Sequence, residues 1–482
     1  MRAKKIGIGI QRIVKCPVLW DKHTRDFYSV DSSSYLVKPR VVVFPKNEID
    51  IIKIVKFASK KNIPITPRGA GTGLVGSALG NGIIFDLKYF DKIKTYPNYV
   101  QVNSGVLRGN LDKKLEKHGK FFGPDPSVGA YCTIGGMIAT NASGAHSLKY
   151  GSVIDNLIGV RIITSTGKIV NLPSKSQFSN KILKMINHNI GKKFPHVSKN
   201  SCGYRLDKIT KKTDLQKIIA GSEGTLGIIT SAKLKILPLP KKKTLIILSY
   251  RNLEYAVIDS AEIIKLAPSA LELVDKNIIK HIKFDFPTST ECLLFVEFDN
   301  DIEKNKTNLG KIITSARIVK TLTKKDEIKK WWSIRNAALG FSLRTITSNQ
   351  SLPTLIEDAT VSVEKLVLLV GIIKKISQKY KFDMVMYGHA GNGNLHIRPI
   401  IKNKTLMKKI ATEYFVKVIQ IGGSITGEHG DGLARTEFVK LQYGNDVYSV
   451  FKKIKHEFDP RNILNPDKIV STKSTMTKNL KI

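Results

Sequence analysis

The stretch Pro67–Gly76, PRGAGTGLVG, puts four glycines into eight residues and follows a short apolar run. Without a Cβ, glycine lets the backbone present successive N–H groups, and a row of bare amides suits a pyrophosphate. An ordinary flexible turn would use the same residues. Gly71, Gly73 and Gly76 also match GxGxxG spacing. That pattern marks a nicotinamide site only where it opens a helix and an acid stands about twenty residues on. No long amphipathic helix starts after Gly76, so a nicotinamide Rossmann site is disfavoured. Glycine clusters recur at Gly135 and Gly136, at Gly144 and Gly151, and in AGSEGTLGIIT, residues 220–230. Separated glycine loops of this kind fit one long, extended cofactor gripped by backbone from many elements.

The intervening pattern is mixed α and β. VVVF (41–44) reads as a strand, NEIDIIKIVKFASKKN as an amphipathic helix, and IPITPR as a second strand running into the glycine loop. Ser165-Thr166-Gly167 reads as a hairpin turn, and Pro238 and Pro240 punctuate the end of a first unit. A second unit follows, with strands TLIILSY, ALELVD and CLLFVEF interleaved with helices. A length of 482 residues suits two domains. The expected division is an N-terminal extension over 1–35, domains over 36–240 and 241–470, and a disordered tail over 471–482.

Charge is the extreme of the composition: 79 Lys and Arg against 39 Asp and Glu, a net +40. The lysines are scattered rather than blocked. They read first as a lysine-rich surface, second as attraction to an acidic partner or anionic membrane, and last as nucleic-acid binding, for which no motif is present. Cys16, Cys132, Cys202 and Cys292 are widely spaced, so neither an iron–sulfur cluster nor a disulfide framework is expected. No apolar run is long enough to span a membrane, and the N-terminus lacks a signal-peptide pattern. The expected location is cytoplasmic, with peripheral attachment at the inner membrane surface left open.

Five motifs occur together and in order: PRGAGTGLVG, GPDPSVGAYCTIGGMIATNASGAHSLKYGSVIDN, GSEGTLGIIT, GHAGNGNLH and TGEHGDGLAR. Over about 35–470 the chain resembles the FAD-linked D-2-hydroxy acid dehydrogenases of the vanillyl-alcohol-oxidase superfamily. That group includes D-lactate, glycolate and D-2-hydroxyglutarate dehydrogenases. The resemblance implies an α+β fold: a PCMH-type, two-subdomain FAD-binding domain and an FAD-linked oxidase C-terminal cap domain with an antiparallel sheet. It implies that Arg68, Gly69, Ala70, Gly71, Thr72, Gly73 and Gly76 line the pyrophosphate. Pro124, Asp125, Gly135, Gly136, Asn141, Ser143, Gly144, Tyr150, Gly151 and Val153 would approach the flavin and ribityl chain. Glu223, Gly224 and Ile229 would lie on the adenine side. Some superfamily members tether flavin through a histidine in the pyrophosphate loop. Thr72 stands near that position here, so noncovalent FAD is expected.

GHAGNGNLHIRP (388–399) raises a separate question, because two histidines flank an Asn-Gly pair. Asn-Gly favours a two-residue hairpin turn. With Asn392-Gly393 at the tip, His389 falls directly opposite His396, close enough to share a divalent ion. Two half-buried sheet histidines would satisfy the same pattern. TGEHGDG adds Glu428 and His429, and two histidines with one carboxylate make an open site for zinc, manganese or iron. The resemblance implies His389, His396 and Glu428 as metal ligands, His429 as the base, and Arg335 in WWSIRNAALG as the holder of the substrate carboxylate. Many members have Asp-Gly where this chain has Asn392-Gly393, which puts an acidic role there in doubt.

The implied reaction is FAD-dependent oxidation of a D-2-hydroxy acid to the 2-oxo acid. Alternatives are a flavoprotein oxidase of an alditol or aldonolactone, and a non-catalytic basic scaffold on a flavin fold. The expected partners are the small 2-hydroxy acid and a separate electron acceptor: an iron–sulfur subunit, an electron-transfer flavoprotein or a membrane quinone. No nucleic acid is expected, and a homodimer is left open.

Overall fold

The computed structural model describes residues 3–186, 188–313, 315–344, 354–401 and 405–481. Near the N-terminus, Val41–Val43 and Ile65–Arg68 each run parallel to Ile83–Asp86, and Val18–Leu19 adds an antiparallel edge. The helix Glu48–Lys61 joins the first two parallel strands. Asn47 caps its start, Glu48 and Asp50 lie in its first turn, and Lys60 and Lys61 in its last, matching the helix dipole at both ends. Ile51, Ile54, Val55 and Ala58 recur at helical spacing and face the sheet core.

A second, five-stranded antiparallel sheet follows the order Ile93–Thr95, Tyr99–Asn103, Ile228–Lys235, Leu157–Ile163, Ile169–Leu172. The turn at 165–167 joins the last two strands in sequence, with Gly167 at φ +80°. These two sheets match the expected two-subdomain unit.

The second domain is built on a six-stranded antiparallel sheet. Its order is Ala316–Leu322, Thr244–Tyr250, Cys292–Phe298, Ala270–Asp275, Asp383–His389, Asn394–Ile400. Its central strands are buried on both faces. Ile246 and Leu248 join the main core, while Leu245 and Ile247 join a separate cluster around Trp331. Period-two alternation thus feeds two cores at once. Glu272 and Glu297 lie in these strands fully buried. A buried carboxylate is costly without partners, and both have them.

The chain then returns to the first domain. The helix Gly432–Phe458 kinks at Gly444, and the following loop lies alongside Ile65, whose N–H donates to Ile463 and whose carbonyl accepts from Asn465, both at 2.7 Å. Residues 459–470, assigned from sequence to the second unit, therefore also complete the first. The tail read as disordered over 471–482 is tied down over 475–481. Met476 is buried, its carbonyl accepts from the Tyr35 hydroxyl at 2.7 Å, and Asn479 and Ser34 accept from the amides of Leu36 and Lys481. Burial of Met476 and a partner for the buried Tyr35 hydroxyl stabilise what composition marked as loose. The N-terminal extension packs likewise, with Ile6 and Ile10 in the core beneath the first sheet. Residue 482 lies outside the described residues.

Candidate active site

A cavity of about 710 Å³ opens between the two sheets of the first domain and the second domain. Such a volume is in the range of cofactor sites. Arg68, Gly69, Ala70, Gly71, Thr72 and Gly73 line it, as do Gly135, Gly136, Ser143, Glu223, Gly224 and Ile229. A Cβ on Gly73 would meet nothing within 4 Å, so this backbone faces open space. Among the described residues, the amides of Ala70 to Gly73 donate to no protein acceptor. Bare amides beside open space fit an anionic pyrophosphate. The short helix Ile134–Thr140 does not compete for that role. Its first amides are taken by Val106, Ser104 and the Thr133 hydroxyl.

Other residues expected near the flavin stand behind this wall. Arg68 donates to the Tyr28 and Val30 carbonyls, fastening the glycine loop to the N-terminal extension. Asn141 ends its helix in the left-handed region and accepts from the Ile154 amide at 2.9 Å. Gly144 sits so close to Asp125 that a Cβ would lie 2.2 Å from its carbonyl oxygen. Tyr150 bonds Asp299, Gly151 turns at φ +74°, and Pro124 and Val153 are buried. Gly76 packs against Tyr35 and Leu433. Glu223 accepts from Ser77 at 2.6 Å and from the amides of Asp431 and Gly432, linking the first glycine loop to the TGEHGDG loop. Sequence reasoning missed Ser104, Val106, Leu107, Asn110, Cys132 and Thr133 along the cavity.

The histidine hairpin forms, but not in the expected register. His389 pairs with Asn394, and His396 with Tyr387. Ala390–Asn392 makes a single 3₁₀ turn and Gly393 takes φ +67°, so four residues turn the chain rather than two. The histidines are consequently diagonal neighbours on one face, with ring centroids 5.1 Å apart. A Cβ at Gly393 would strike the Val361 carbonyl, 1.9 Å away. Packing against that segment, absent from local turn preferences, selects the longer turn.

Both rings reach one oxygen. Nε2 of His389 lies 2.9 Å, and Nε2 of His396 3.3 Å, from Oε1 of Glu428. Oε2 of Glu428 accepts from Ser143 at 2.5 Å and from Lys199 at 2.9 Å. His429 stacks on His396 at 4.8 Å, and its Nδ1 lies 3.0 Å from Oε1 of Glu357. One oxygen of Asp358 accepts from the Thr426 hydroxyl and the amides of Gly427, Glu428 and His429, and this wraps the loop around a carboxylate. Ligand atoms of Asp358, His396, Glu428 and His429 lie within 4.8 Å of one another. Tetrahedral zinc with bonds near 2.0–2.1 Å has ligand–ligand edges of about 3.3 Å, so this set, which does not include His389, is looser than a closed zinc site and would have to contract around a divalent ion.

The electrostatics of the two rings differ. Burial opposes a charged His396 ring and, with repulsion from His429 and His389, holds its pKa near 4, the neutral form a metal ligand needs. Burial also works against a charged His389, but Glu272 and Glu428 outweigh it and shift that ring upward. Glu272 would be raised by burial; Arg335 and His389 reverse this and hold it at about 2. Arg335 is buried, and its Nε donates to Glu272 at 2.8 Å, with a second contact from the same guanidinium. It thus reaches the histidines through Glu272 rather than lining the cavity. Trp331 packs in the core, and Trp332 donates to Glu297 at 2.8 Å. Lys199, Glu272, Glu357 and Asp358 were missed from sequence. The available signal was acid placed inside apolar runs, as in ALELVD and LIEDATV.

The chain matches the family described as FAD binding domain over residues 39–173 and that described as FAD linked oxidases, C-terminal domain, over 239–469. It is 31% identical to the glycolate oxidase subunit GlcD of Bacillus subtilis, covering 92% of this chain and 91% of that protein. It is 30% identical to a D-lactate dehydrogenase of Anaerostipes hadrus, covering 93% of each. Identity to the D-2-hydroxyglutarate dehydrogenase of Escherichia coli is 29%, over 92% of this chain but 49% of that longer protein. Among solved structures, an alkyldihydroxyacetonephosphate synthase superposes with a TM-score of 0.68 at 20% identity, covering 96% of this chain and 85% of that one. A chitooligosaccharide oxidase gives 0.66 at 10% identity, covering 97% and 99%. At such identities the structures speak for the fold alone.

Proposed function

The chain belongs to the FAD-linked oxidoreductase family of D-lactate, glycolate and D-2-hydroxyglutarate dehydrogenases, and from that premise we propose that it oxidises a D-2-hydroxy acid to the 2-oxo acid with metal assistance. The observation that carries this reading is convergence: Glu428 and His429 line the same cavity as the glycine loop, with His389 and His396 on the Glu428 carboxylate. When bound, FAD accepts the α-hydrogen with its electron pair, and a divalent ion such as zinc, manganese or iron acidifies the substrate hydroxyl. His389, His396 and Glu428 would hold the ion. His429 takes the hydroxyl proton at Nε2, while Glu357 fixes its Nδ1. Ser143 ties Glu428 to the flavin wall. Arg335 stands outside the cavity lining with Nε and one terminal nitrogen on Glu272, so only Nη1 is left to meet the α-carboxylate, as a single donor rather than a fork.

Anaerobic mixing with a panel of D- and L-2-hydroxy acids tests the reading. Bleaching of the flavin by a D-acid and not its enantiomer is expected; a spectrum unchanged by every acid would refute it. For the electron outlet, the proposal is a separate iron–sulfur subunit or electron-transfer flavoprotein, with a membrane quinone as the other route. The net +40 would draw an acidic acceptor at a rate that falls with salt. Turnover in air equal to that with a dye acceptor, with stoichiometric peroxide, would make the protein an oxidase instead. Among the described residues, no helix is long and apolar enough to cross a membrane.

A further inference from the structure

Arg398 lies two residues beyond His396 on the same strand, so the two side chains share a sheet face. It is only 1% exposed. Its Nε donates to the Tyr387 hydroxyl at 2.9 Å, and Tyr387 is the residue paired directly with His396. The guanidinium carbons of Arg335 and Arg398 lie 5.7 and 5.9 Å from the centroid of that one Tyr387 ring. The two arginines differ in how their charge is met. Arg335 pairs with Glu272, and Arg435 with Glu357. Among the described residues, no carboxylate lies within ion-pair distance of Arg398. One acid that feels its charge, Glu357, gives Oε1 to His429 and Arg435, while its Oε2 has no hydrogen-bond partner among the described residues.

A buried guanidinium with no carboxylate partner, beside a site that handles a carboxylate substrate, calls for an anion. Resting on the hydroxy-acid reading above, we propose that Arg398 binds a second, distal carboxylate, and that the substrate is a D-2-hydroxy dicarboxylate of four or five carbons. The two arginine heads lie 5.7 and 5.9 Å from the centroid of the one Tyr387 ring, so a short acid can meet both. The Tyr387 ring, beside both arginine heads, supplies a flat wall for the intervening carbons. A monocarboxylate such as lactate would leave the Arg398 charge unmatched. The planar fork also explains arginine rather than lysine, since two parallel donors fix a carboxylate's orientation.

The test uses the FAD-loaded full chain and anaerobic flavin reduction by D-lactate, D-malate and D-2-hydroxyglutarate. Wild-type kcat/KM is expected to favour a dicarboxylate over D-lactate by about 100-fold, the scale of one well-formed charged contact. Arg398→Met should abolish that preference through KM, with D-lactate kinetics changed little; Arg398→Lys should restore part of it. A wild type that prefers D-lactate would overturn the proposal, as would an Arg398→Lys variant losing D-lactate and dicarboxylate turnover equally, because Arg398 would then serve the α-carboxylate or the scaffold. Should Arg398→Met fail to fold, the wild-type preference and the lysine variant still decide. Reduction by dithionite but by none of the acids would instead overturn the underlying hydroxy-acid reading, an outcome distinct from reduction by D-lactate alone.

Discussion

Nδ1 of His389 lies 2.7 Å from Oε1 of Glu272, fully buried, which turns the opposite nitrogen of the ring toward Glu428. A carboxylate behind a ligating histidine sets its tautomer and raises its basicity. Glu272→Gln should therefore weaken metal retention by about 10–100-fold, and His396→Ala should remove the metal, with FAD retained in both. Metal analysis beside the flavin absorbance checks this; one equivalent of metal left in His396→Ala would refute the ligand assignment.

Glu357 should govern His429 in a similar way. Burial opposes the charged His429 ring, but Asp358, Glu357 and Glu428 shift its pKa upward. Glu357→Gln removes part of that pull, so the acid limb of the pH–rate profile should move to lower pH. The expected fall in kcat is about 10–100-fold, with KM nearly unchanged. A purely structural role would leave the profile in place.

His146 clamps the two domains, with Asp125 on one ring nitrogen and Glu297 on the other. Burial disfavours its charge, yet Glu297 and Asp125 outweigh burial and lift its pKa from 6.5 to about 10. A raised folded-state pKa gives stabilisation that is complete below pH 6.5 and is lost as pH rises through about 10. The Tm advantage of wild type over His146→Gln should therefore shrink across that window. Parallel Tm curves from pH 6 to 10.5 would show that the clamp carries no such charge.

Two glycines separate cofactor contact from folding. Gly73→Ala adds a methyl facing open cavity, so Tm should hold while FAD binds more weakly. At Gly82 an added Cβ would meet the Pro64 carbonyl oxygen at 2.0 Å. Gly82→Ala should cost about 1–3 kcal/mol of stability. Thermal melts of the apoprotein and FAD titration distinguish the two, and equal Tm losses would mean that Gly73 is also packed.

Acid precipitation should release FAD into the supernatant, because Thr72 offers no imidazole. Its hydroxyl lies 3.4 Å from Sγ of Cys132, a thiol that burial shifts upward in pKa and away from the reactive thiolate. A yellow pellet would reveal a covalent bond.

The glycine loops and the His–Glu loop were legible because their chemistry is local: bare amides and adjacent ligands show in a few residues. The hairpin register was not, since Val361, more than thirty residues upstream, decides how tightly Gly393 turns. Glu272 and Asp358 were also hidden, because an acid in an apolar run gains meaning only when Arg335 or the amides of 427–429 arrive from distant segments. The tail was misread for the same reason: Met476 finds its pocket beside Tyr35, at the opposite end of the chain.

The loop that returns to Ile65 has a consequence for how the molecule is made. The Thr66 hydroxyl donates to Asn465 across 399 residues, and Asn465 also donates to the Ser77 and Glu223 carbonyls. The base of the first glycine loop is therefore completed by a residue synthesised 399 positions after Thr66. Closing so long a loop is slow relative to local contacts. Cofactor capture is thus postponed until Asn465 has been made, and a chain terminated before it would keep its glycines yet lack the strut that holds them in place.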